Sequence, residues 1–240
     1  MQAARGLIQC APMDFPRALI FDMDGLMIDS ERLYVDSERE IAASFGRSVS
    51  DETLGRMMGR KPVESLRIFV AETGLPITAE EAFVMRSRIM RRKLRDDLRA
   101  MPGLDRILTR FRGRLKLAVA TGAQSEFLRI VIAGLRLEGV FDVLQDSDGV
   151  AEGKPDPAIF LAACRRLDLP PSACVVLEDS QNGVAAGRRA DCYVIAVPNE
   201  FTRSHDFGPA DFIASGLDEA AVHLESLLKA DGGEAQTAPR

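Results

Sequence analysis

Short runs of hydrophobic residues recur along the chain and alternate with longer stretches in which hydrophobic residues return every three or four positions. The first run, residues 17–21, stops at the sequence Asp22-Met23-Asp24-Gly25. Its shortness, its isoleucine and phenylalanine, and the glycine that follows predict a buried strand rather than a helix. Later runs of the same kind lie at 116–120, 141–144, 173–177, 192–197 and, with a weaker pattern, 211–214.

The stretches with helical spacing lie between these runs, at 103–112, 124–135, 156–167, 181–190 and 217–229. The last stretch places four hydrophobic residues on one face: Leu217, Ala221, Leu224 and Leu228. Alternation of strand and helix is typical of a parallel sheet that is covered by helices on both sides. The pattern therefore predicts an α/β fold with a Rossmann-like, doubly wound parallel sheet.

Residues 31–99 contain no run typical of a strand and show four successive helical stretches instead. These extend from Ser30, as N-cap, to Phe45, over a short segment after Asp51, over 62–73, and from Thr78 through Leu98. Thr78 and Glu81 have the spacing of a capping box, in which each side chain accepts from the other residue's backbone N–H. We predict a small all-helical cap inserted after the first strand, with the chain returning to the α/β core near Met101.

The same pattern sets the expected domain boundaries. The α/β core is assigned to residues 17–30 and 100–229, and the helical cap to 31–99. Residues 1–16 are interrupted by polar residues and prolines, and residues 230–240 are small and polar, so both segments are expected to be flexible extensions.

Composition narrows the class of protein. The 240 residues include 31 Lys+Arg and 36 Asp+Glu, which gives a formal net charge of −5. Such a chain lacks the clustered basic excess of nucleic-acid-binding proteins, and no hydrophobic run approaches the roughly 18 residues of a membrane span. The four cysteines have no C-x-x-C spacing and no nearby histidine, which argues against a zinc site. Without an export signal, a cytoplasmic protein with reduced cysteines is expected, and a monomer is the default.

Asp22 and Asp24 directly follow the first predicted strand. Side chains two positions apart on an extended chain point to the same side, so the two carboxylates are expected to converge past the carboxyl end of the strand. Open α/β sheets bind ligands at that edge. Two adjacent anions repel each other, and Mg²⁺, which prefers hard oxygen ligands, would compensate them. A simple turn would explain the same residues, since Asp and Gly favour turns.

A second acidic pair, Glu178-Asp179, follows the predicted strand at 173–177 and precedes a helix that opens at Ser180. Acidic residues at a helix N-terminus complement the helix dipole, and this alone would explain Asp179. It explains less well why two strands both end in acidic pairs, because carboxylates at one sheet edge repel each other. We therefore expect both pairs to meet around one magnesium ion.

Two further positions carry groups suited to phosphate. Thr121-Gly122 ends the predicted strand at 116–120 and precedes a helix, where a hydroxyl and free backbone N–H groups can hold a phosphate. Thr as a helix N-cap, with Gly in a turn, is the structural alternative. Lys154 also precedes a helix, where a cation opposes the helix dipole. A phosphate or a nucleophilic carboxylate facing Lys154 would explain this position, and a solvated loop lysine is the alternative.

Together these groups supply a nucleophile, an acid/base, metal ligands and partners for phosphate oxygens, as phosphoryl transfer requires. Four motifs, in order after successive strands, resemble those of the haloacid dehalogenase superfamily: Asp22-x-Asp24-Gly25, Thr121, Lys154-Pro155 and Glu178-Asp179. The similarity covers about residues 17–228. The segment from Phe21 to Tyr34 is similar to the branch that contains β-phosphoglucomutases, sugar phosphatases and pseudouridine-5'-phosphatases.

The resemblance implies a role for each motif. Asp22 would attack phosphorus and become an aspartyl phosphate, and Asp24 would protonate the leaving oxygen and then deprotonate the attacking water. The implied ligands of Mg²⁺ are Asp22, the backbone carbonyl of Asp24, Asp179 and Glu178. The groups that would hold the transferring phosphoryl group are Thr121, the N–H of Gly122 and Lys154. Closure of the helical cap would exclude water and supply contacts to the substrate.

These roles predict a Mg²⁺-dependent phosphatase that hydrolyses the phosphomonoester of a small metabolite, such as a sugar phosphate. A phosphohexomutase of the β-phosphoglucomutase type is the alternative, and it would need a second phosphate site in the cap. Arg60 and Lys61 form a basic spot there that would serve either activity, or they belong to a solvated helix end. Intact motifs argue against a non-catalytic binding module on the same fold, and Asp24 and the second acidic pair argue against dehalogenation.

Overall fold

The computed structural model describes residues 15–57 and 62–232 of the chain. Within these residues, six strands form one sheet: Ala18–Phe21 (β1), Lys116–Ala120 (β2), Val143–Gln145 (β3), Cys174–Glu178 (β4), Tyr193–Ala196 (β5) and Phe212–Ile213 (β6). All neighbouring strands are parallel, in the order β3-β2-β1-β4-β5-β6. Every hydrophobic run predicted as a strand forms one, and the predicted α/β fold class is confirmed.

The helices of the described residues also lie in the predicted segments. Their bounds are Glu31–Ser44 (α1), Asp51–Met57 (α2), Pro62–Thr73 (α3), Ala79–Asp96 (α4), Leu104–Phe111 (α5), Ser125–Gly134 (α6), Ala158–Leu167 (α7), Gln181–Arg189 (α8) and Leu217–Gly232 (α9). A short 3₁₀ turn, Pro171–Ala173, leads into β4. None of these helices is both long enough and hydrophobic enough to cross a membrane.

Successive residues of a strand point to opposite faces of the sheet. Both faces are buried, because a separate hydrophobic cluster packs on each of them. In β1, Leu19 and Phe21 belong to a hydrophobic cluster that includes residues of α5, α6 and α9. Ala18 and Ile20 belong to a second cluster that includes residues of α7 and α8. All four side chains are fully buried. A strand buried on both faces has a continuous hydrophobic run, which explains why β1 could be identified from its sequence.

Helices α1 to α4 lie between β1 and α5 in the chain and have a hydrophobic cluster of their own. It includes Ile41 from α1, Leu66 and Phe69 from α3, and Ala82 from α4. Further along α4, Met90 joins the cluster on the sheet. Helix α4 therefore packs on both clusters, and a domain boundary at residue 99 stays a prediction.

The structure corrects three details of the predicted elements. Ser30 precedes α1 but does not cap it, since its backbone is in the helical region and its side chain makes no capping hydrogen bond. Helix α9 continues through Gly232, two residues beyond the predicted start of the C-terminal tail at residue 230, because Ala230 and Asp231 contain no stop signal. Phe15, assigned to the flexible N-terminal extension, packs against the ring of Tyr193 at a centroid distance of 5.7 Å. Residues 1–14 lie outside the described residues.

Candidate active site

The sequence-predicted acidic pairs meet at one edge of the sheet, at the carboxyl end of its central strands. Phe21, the last residue of β1, lies beside Leu177 of β4, and Asp22 and Glu178 follow these two residues. Strand β2 lies on the other side of β1 and is followed by Thr121. The strand order changes direction beside β1, which leaves a crevice at this edge. The sheet register therefore brings three separate chain segments to one place.

Three carboxylates form a tight cluster there. One oxygen from each of Asp22, Glu178 and Asp179 lies within 4.8 Å of the others. Their exposed fractions are 6%, 1% and 4%, respectively. Lys154, from the loop between β3 and α7, donates to Oδ1 of Asp22 and, over 2.5 Å, to Oε1 of Glu178. Its Nζ also lies 4.8 Å from the ring centroid of Phe160.

Burial and mutual repulsion change the acidity of these groups. Burial is the largest effect on Asp22 and raises its pKa to about 8. The positive charge of Lys154 lowers this pKa, but by less, and the negative charge of Glu178 raises it further. Burial, Glu178 and Asp22 raise the pKa of Asp179 well above its usual value. Burial alone would lower the pKa of Lys154, but the Asp22 and Glu178 carboxylates more than offset this and raise it. Lys154 is therefore a permanent cation at the cluster.

The donor set fits a hard divalent cation. Among the described residues, Lys154 is the only cation that forms a salt bridge with the cluster, so its positive charge faces three carboxylates. Buried carboxylates without sufficient positive charge are costly. Carboxylate oxygens are the ligands that Mg²⁺ and Ca²⁺ prefer. Asp22, Glu178 and Asp179 are therefore the residues that could hold such an ion.

Local hydrogen bonds fix Glu178 in the cluster. Its Oε2 accepts from the backbone N–H and from the hydroxyl of Ser180, both over 3.0 Å. The Ser180 hydroxyl also accepts from the N–H of Gly183 and so caps α8. A Cβ atom at Gly183 would overlap the Glu178 carboxyl group. The first turn of α8 is thus shaped to leave room for a buried glutamate.

Thr121 and Asp24 lie next to each other at the same edge. The fully buried Thr121 hydroxyl accepts from the N–H of Ala123 over 3.0 Å and makes a long, 3.5 Å contact with Oδ2 of Asp24. Burial raises the pKa of Asp24. The N-cap of α6 is Gln124, so the alternative of Thr121 as a helix cap is wrong. Gly122 is exposed, and its N–H donates to no partner within the described part of the chain.

Two groups at this edge were not identified from the sequence. Asn199, three residues after β5, donates from Nδ2 to Oδ2 of Asp179 over 2.8 Å and to the carbonyl of Gly25 over 3.1 Å. Its signal in the sequence was a polar residue just past a predicted strand, the same signal that identified Asp22. Glu31, at the start of α1, was part of the quoted motif without a role. Burial and the nearby Asp24 raise its pKa to about 7.

The cap contributes a buried polar group of its own. Arg86 of α4 forms a 3.3 Å salt bridge with Glu38 of α1, and its guanidinium lies 5.3 Å from the ring centroid of Tyr34. The charge of the Asp24 carboxylate is the largest cause of the raised pKa of Tyr34. Arg60 and Lys61, the predicted basic spot, lie outside the described residues.

Comparison with known sequences agrees with this arrangement. A family model described as haloacid dehalogenase-like hydrolase matches residues 16–191. The chain is 33% identical over 210 residues to (DL)-glycerol-3-phosphatase 1, mitochondrial, from Arabidopsis thaliana, covering 83% of this chain and 70% of the relative. It is 35% identical over 177 residues to a phosphorylated carbohydrates phosphatase from Thermotoga maritima, covering 72% of this chain and 81% of the relative.

Solved structures with the same fold cover most of the chain. CbbY from Rhodobacter sphaeroides in complex with phosphate superposes with a TM-score of 0.76 at 25% identity, covering 87% of this chain and 100% of CbbY. A putative β-phosphoglucomutase from Thermotoga maritima superposes with a TM-score of 0.74 at 30% identity, covering 87% of this chain and 99% of that structure. The resemblance predicted from the four motifs is confirmed. The chain belongs to the haloacid dehalogenase-like hydrolase family.

Proposed function

We propose that the protein is a Mg²⁺-dependent phosphatase that hydrolyses the phosphomonoester of a small metabolite through an aspartyl phosphate on Asp22. The observation that carries this proposal is the Asp22 carboxylate itself. It is buried at the end of β1 between Lys154 and the acidic pair Glu178-Asp179. A carboxylate can attack an anionic phosphoryl group only if nearby positive charge offsets their repulsion.

The proposed reaction has two displacements at phosphorus. In the first, an oxygen of Asp22 bonds to phosphorus, the bond to the ester oxygen breaks, and Asp24 gives that oxygen a proton. In the second, Asp24 takes a proton from water, the water oxygen bonds to phosphorus, and the Asp22 carboxylate leaves. The raised pKa of Asp24 suits a group that must carry a proton in one step and accept one in the next.

The remaining motif residues bind and neutralise the phosphoryl group. Lys154 supplies a cation beside the nucleophile, and the Thr121 hydroxyl and the Gly122 N–H supply hydrogen-bond donors to phosphoryl oxygens. Mg²⁺, when bound, supplies further charge neutralisation for the nucleophile and the phosphoryl oxygens. The groups that would hold it are Asp22, the backbone carbonyl of Asp24, Glu178 and Asp179.

The proposed substrate is a small phosphorylated metabolite. Relatives named for glycerol phosphate and phosphorylated carbohydrates support this class. The polar groups of the half-buried Tyr34 and the buried Arg86 suit a leaving group that carries hydroxyls better than a hydrophobic one. A cytoplasmic location and a monomeric state stay predictions.

The test is phosphate release from p-nitrophenyl phosphate and from a panel of about a hundred phosphorylated metabolites, since kcat/KM ranks true substrates. We expect activity with Mg²⁺ that EDTA abolishes. Asp22→Asn should lower kcat by about 10³-fold or more without loss of folded protein, because an amide is a poor nucleophile. Asp105→Asn, on the exposed surface of α5, is the matched control and should keep parental activity. Near-parental turnover by Asp22→Asn would refute the nucleophile.

The phosphomutase stays the second candidate because the chain is 30% identical to the solved structure of a putative β-phosphoglucomutase from Thermotoga maritima. A mutase must transfer the phosphoryl group from the aspartyl phosphate to a hydroxyl of the hexose phosphate before water attacks it, and must then rebind the resulting bisphosphate in the opposite orientation. Supplying a hexose 1-phosphate with traces of the hexose bisphosphate separates the two activities. Formation of the hexose 6-phosphate would indicate a mutase, and release of inorganic phosphate alone would indicate a phosphatase.

A further inference from the structure

We propose that Asn199 is a positioning residue that orients the Asp179 carboxylate toward the metal site. The inference rests on the proposed function, and it assigns a residue that lies in none of the four motifs. Asn199 comes from the loop after β5, yet its side chain reaches the segments that follow β4 and β1. It acts through Asp179, and we assign it no contact with the substrate.

The side-chain amide uses both of its hydrogens at the site. Nδ2 donates to Oδ2 of Asp179 over 2.8 Å and to the carbonyl oxygen of Gly25 over 3.1 Å. No described residue donates to Oδ1 of Asp179. One carboxylate oxygen is therefore fixed by the protein, and the other is left for a cation. Hydrogen bonds of this kind orient metal ligands.

Asn199 is itself held in place on its other side. Its Oδ1 accepts from the backbone N–H groups of Phe201, over 2.9 Å, and Thr202, over 3.2 Å. Its own N–H donates to the hydroxyl of Thr202, which is buried, over 3.0 Å. The two N–H donors to Oδ1 identify it as the oxygen and Nδ2 as the donor to Asp179. A side chain with every polar atom bonded has little freedom to rotate, so it can impose a direction on its partner.

Repulsion within the cluster explains why Asp179 needs such a partner. Its neighbours, Asp22 and Glu178, are both acidic, and Lys154 bonds to these two but forms no salt bridge with Asp179. Without a donor, the Asp179 carboxylate would be driven away from the cluster. A neutral amide supplies a donor without adding a second fixed cation, which would compete with a metal ion for the same carboxylates.

The experiment measures Mg²⁺ binding to the substrate-free protein by isothermal titration calorimetry, after removal of metal with EDTA and dialysis. We expect Asn199→Ala to weaken the Kd for Mg²⁺ by about tenfold or more, the usual effect of losing a partner that orients a ligand. The phosphatase activity of Asn199→Ala should be lost at low Mg²⁺ concentrations and largely recovered at saturating Mg²⁺. Asn199→Ser, whose hydroxyl can still accept from the loop N–H groups but is too short to reach Asp179, should behave in the same way and guards against misfolding of the alanine variant.

Two control variants separate positioning from stability. Glu200→Gln changes an exposed neighbour on the same loop and should leave the Kd unchanged. Leu224→Ala, in the core contact of α9, should lower the Tm without changing the Kd. If the parent binds Mg²⁺ and both Asn199 variants bind it within twofold, Asn199 has no positioning role, and the proposed function stands. If the parent itself binds no Mg²⁺, the proposed function fails and this inference fails with it.

Discussion

The carboxylates at the edge of the sheet differ in how the protein holds them. Glu178 accepts three hydrogen bonds, from Lys154 and from two groups of Ser180, and is therefore fixed. Asp179 accepts from the Asn199 amide, and Asp24 makes a 3.5 Å contact with the Thr121 hydroxyl and has the Ser30 side chain as a second neighbour that lowers its pKa. A carboxylate that exchanges protons with substrate and water must not be committed to strong protein donors. Asp24 is held less tightly than Glu178, which is consistent with the acid/base role proposed for it.

Gly25 is a residue at which the backbone passes close to the site. Its φ of +78° favours glycine, and a Cβ atom there would overlap the Asp179 carboxylate and the Asn199 amide. We expect Gly25→Ala to lower the stability by about 1–3 kcal/mol and to weaken the Kd for Mg²⁺. Gly46→Ala is the matched control, because its φ is +67° but no atom lies within 4 Å of the added Cβ. Denaturant unfolding and calorimetry should show a stability loss in both variants and a Kd change only in Gly25→Ala.

Glu31 makes the stability depend on pH. Its pKa of about 7 lies above its usual 4.5, so between these values the folded chain keeps a proton that the unfolded chain has released. Stability therefore falls as the pH rises through this window. Glu31→Gln removes the part of this dependence that comes from Glu31, and from pH 4.5 to 8 the parent should lose on the order of 2 kcal/mol relative to the variant. Parallel stability curves for the two proteins, measured by urea unfolding without added metal, would contradict this.

At the scale of elements, most of the fold could be predicted because it depends on local patterns. Strand β4, buried on both faces, has a continuous hydrophobic run, and α4 begins at a capping box. Both can be identified from the order of residue types alone. The N-cap of α6 could not, because Thr121 and Gln124 are both polar and the order of residue types does not say at which of them the helix begins. Thr121 lies against Asp24, a residue 97 positions away in the chain.

The capping box at the start of α4 allows a test at this scale. The Thr78 hydroxyl accepts from the N–H of Glu81 over 3.1 Å, and the Glu81 carboxylate accepts from the N–H of Thr78 over 2.8 Å. Thr78→Ala removes the first bond and should lower the free energy of unfolding by about 1 kcal/mol. Thr78→Ser keeps the hydroxyl, so its free energy of unfolding should stay within a few tenths of a kcal/mol of that of the parent. Equal urea midpoints for Thr78→Ala and the parent would show that the box does not stabilise the helix.

At the scale of the whole molecule, the strand order decides which residues meet. Only because β1 lies between β2 and β4 do Asp22, Thr121 and Glu178 share one edge. Local patterns do not contain this order, and the sequence predicted the meeting of the acidic pairs only through charge and the resemblance of the motifs. Asn199 was not predicted as a site residue, because its role depends on contacts that local patterns do not show. Its partners, Asp179 and Gly25, are 20 and 174 positions away in the chain.

The central claim is that Asp22 takes the phosphoryl group from the substrate. Asp24→Ala provides the means to observe it, because loss of the proton donor and acceptor should leave slow phosphorylation and almost no dephosphorylation. The variant is incubated with Mg²⁺ and the best phosphomonoester from the substrate panel, quenched in acid and digested. Mass spectrometry should find one added phosphoryl group on the peptide that contains Asp22, and none when EDTA is present. An unmodified peptide, or a phosphoryl group on another residue, would contradict the account.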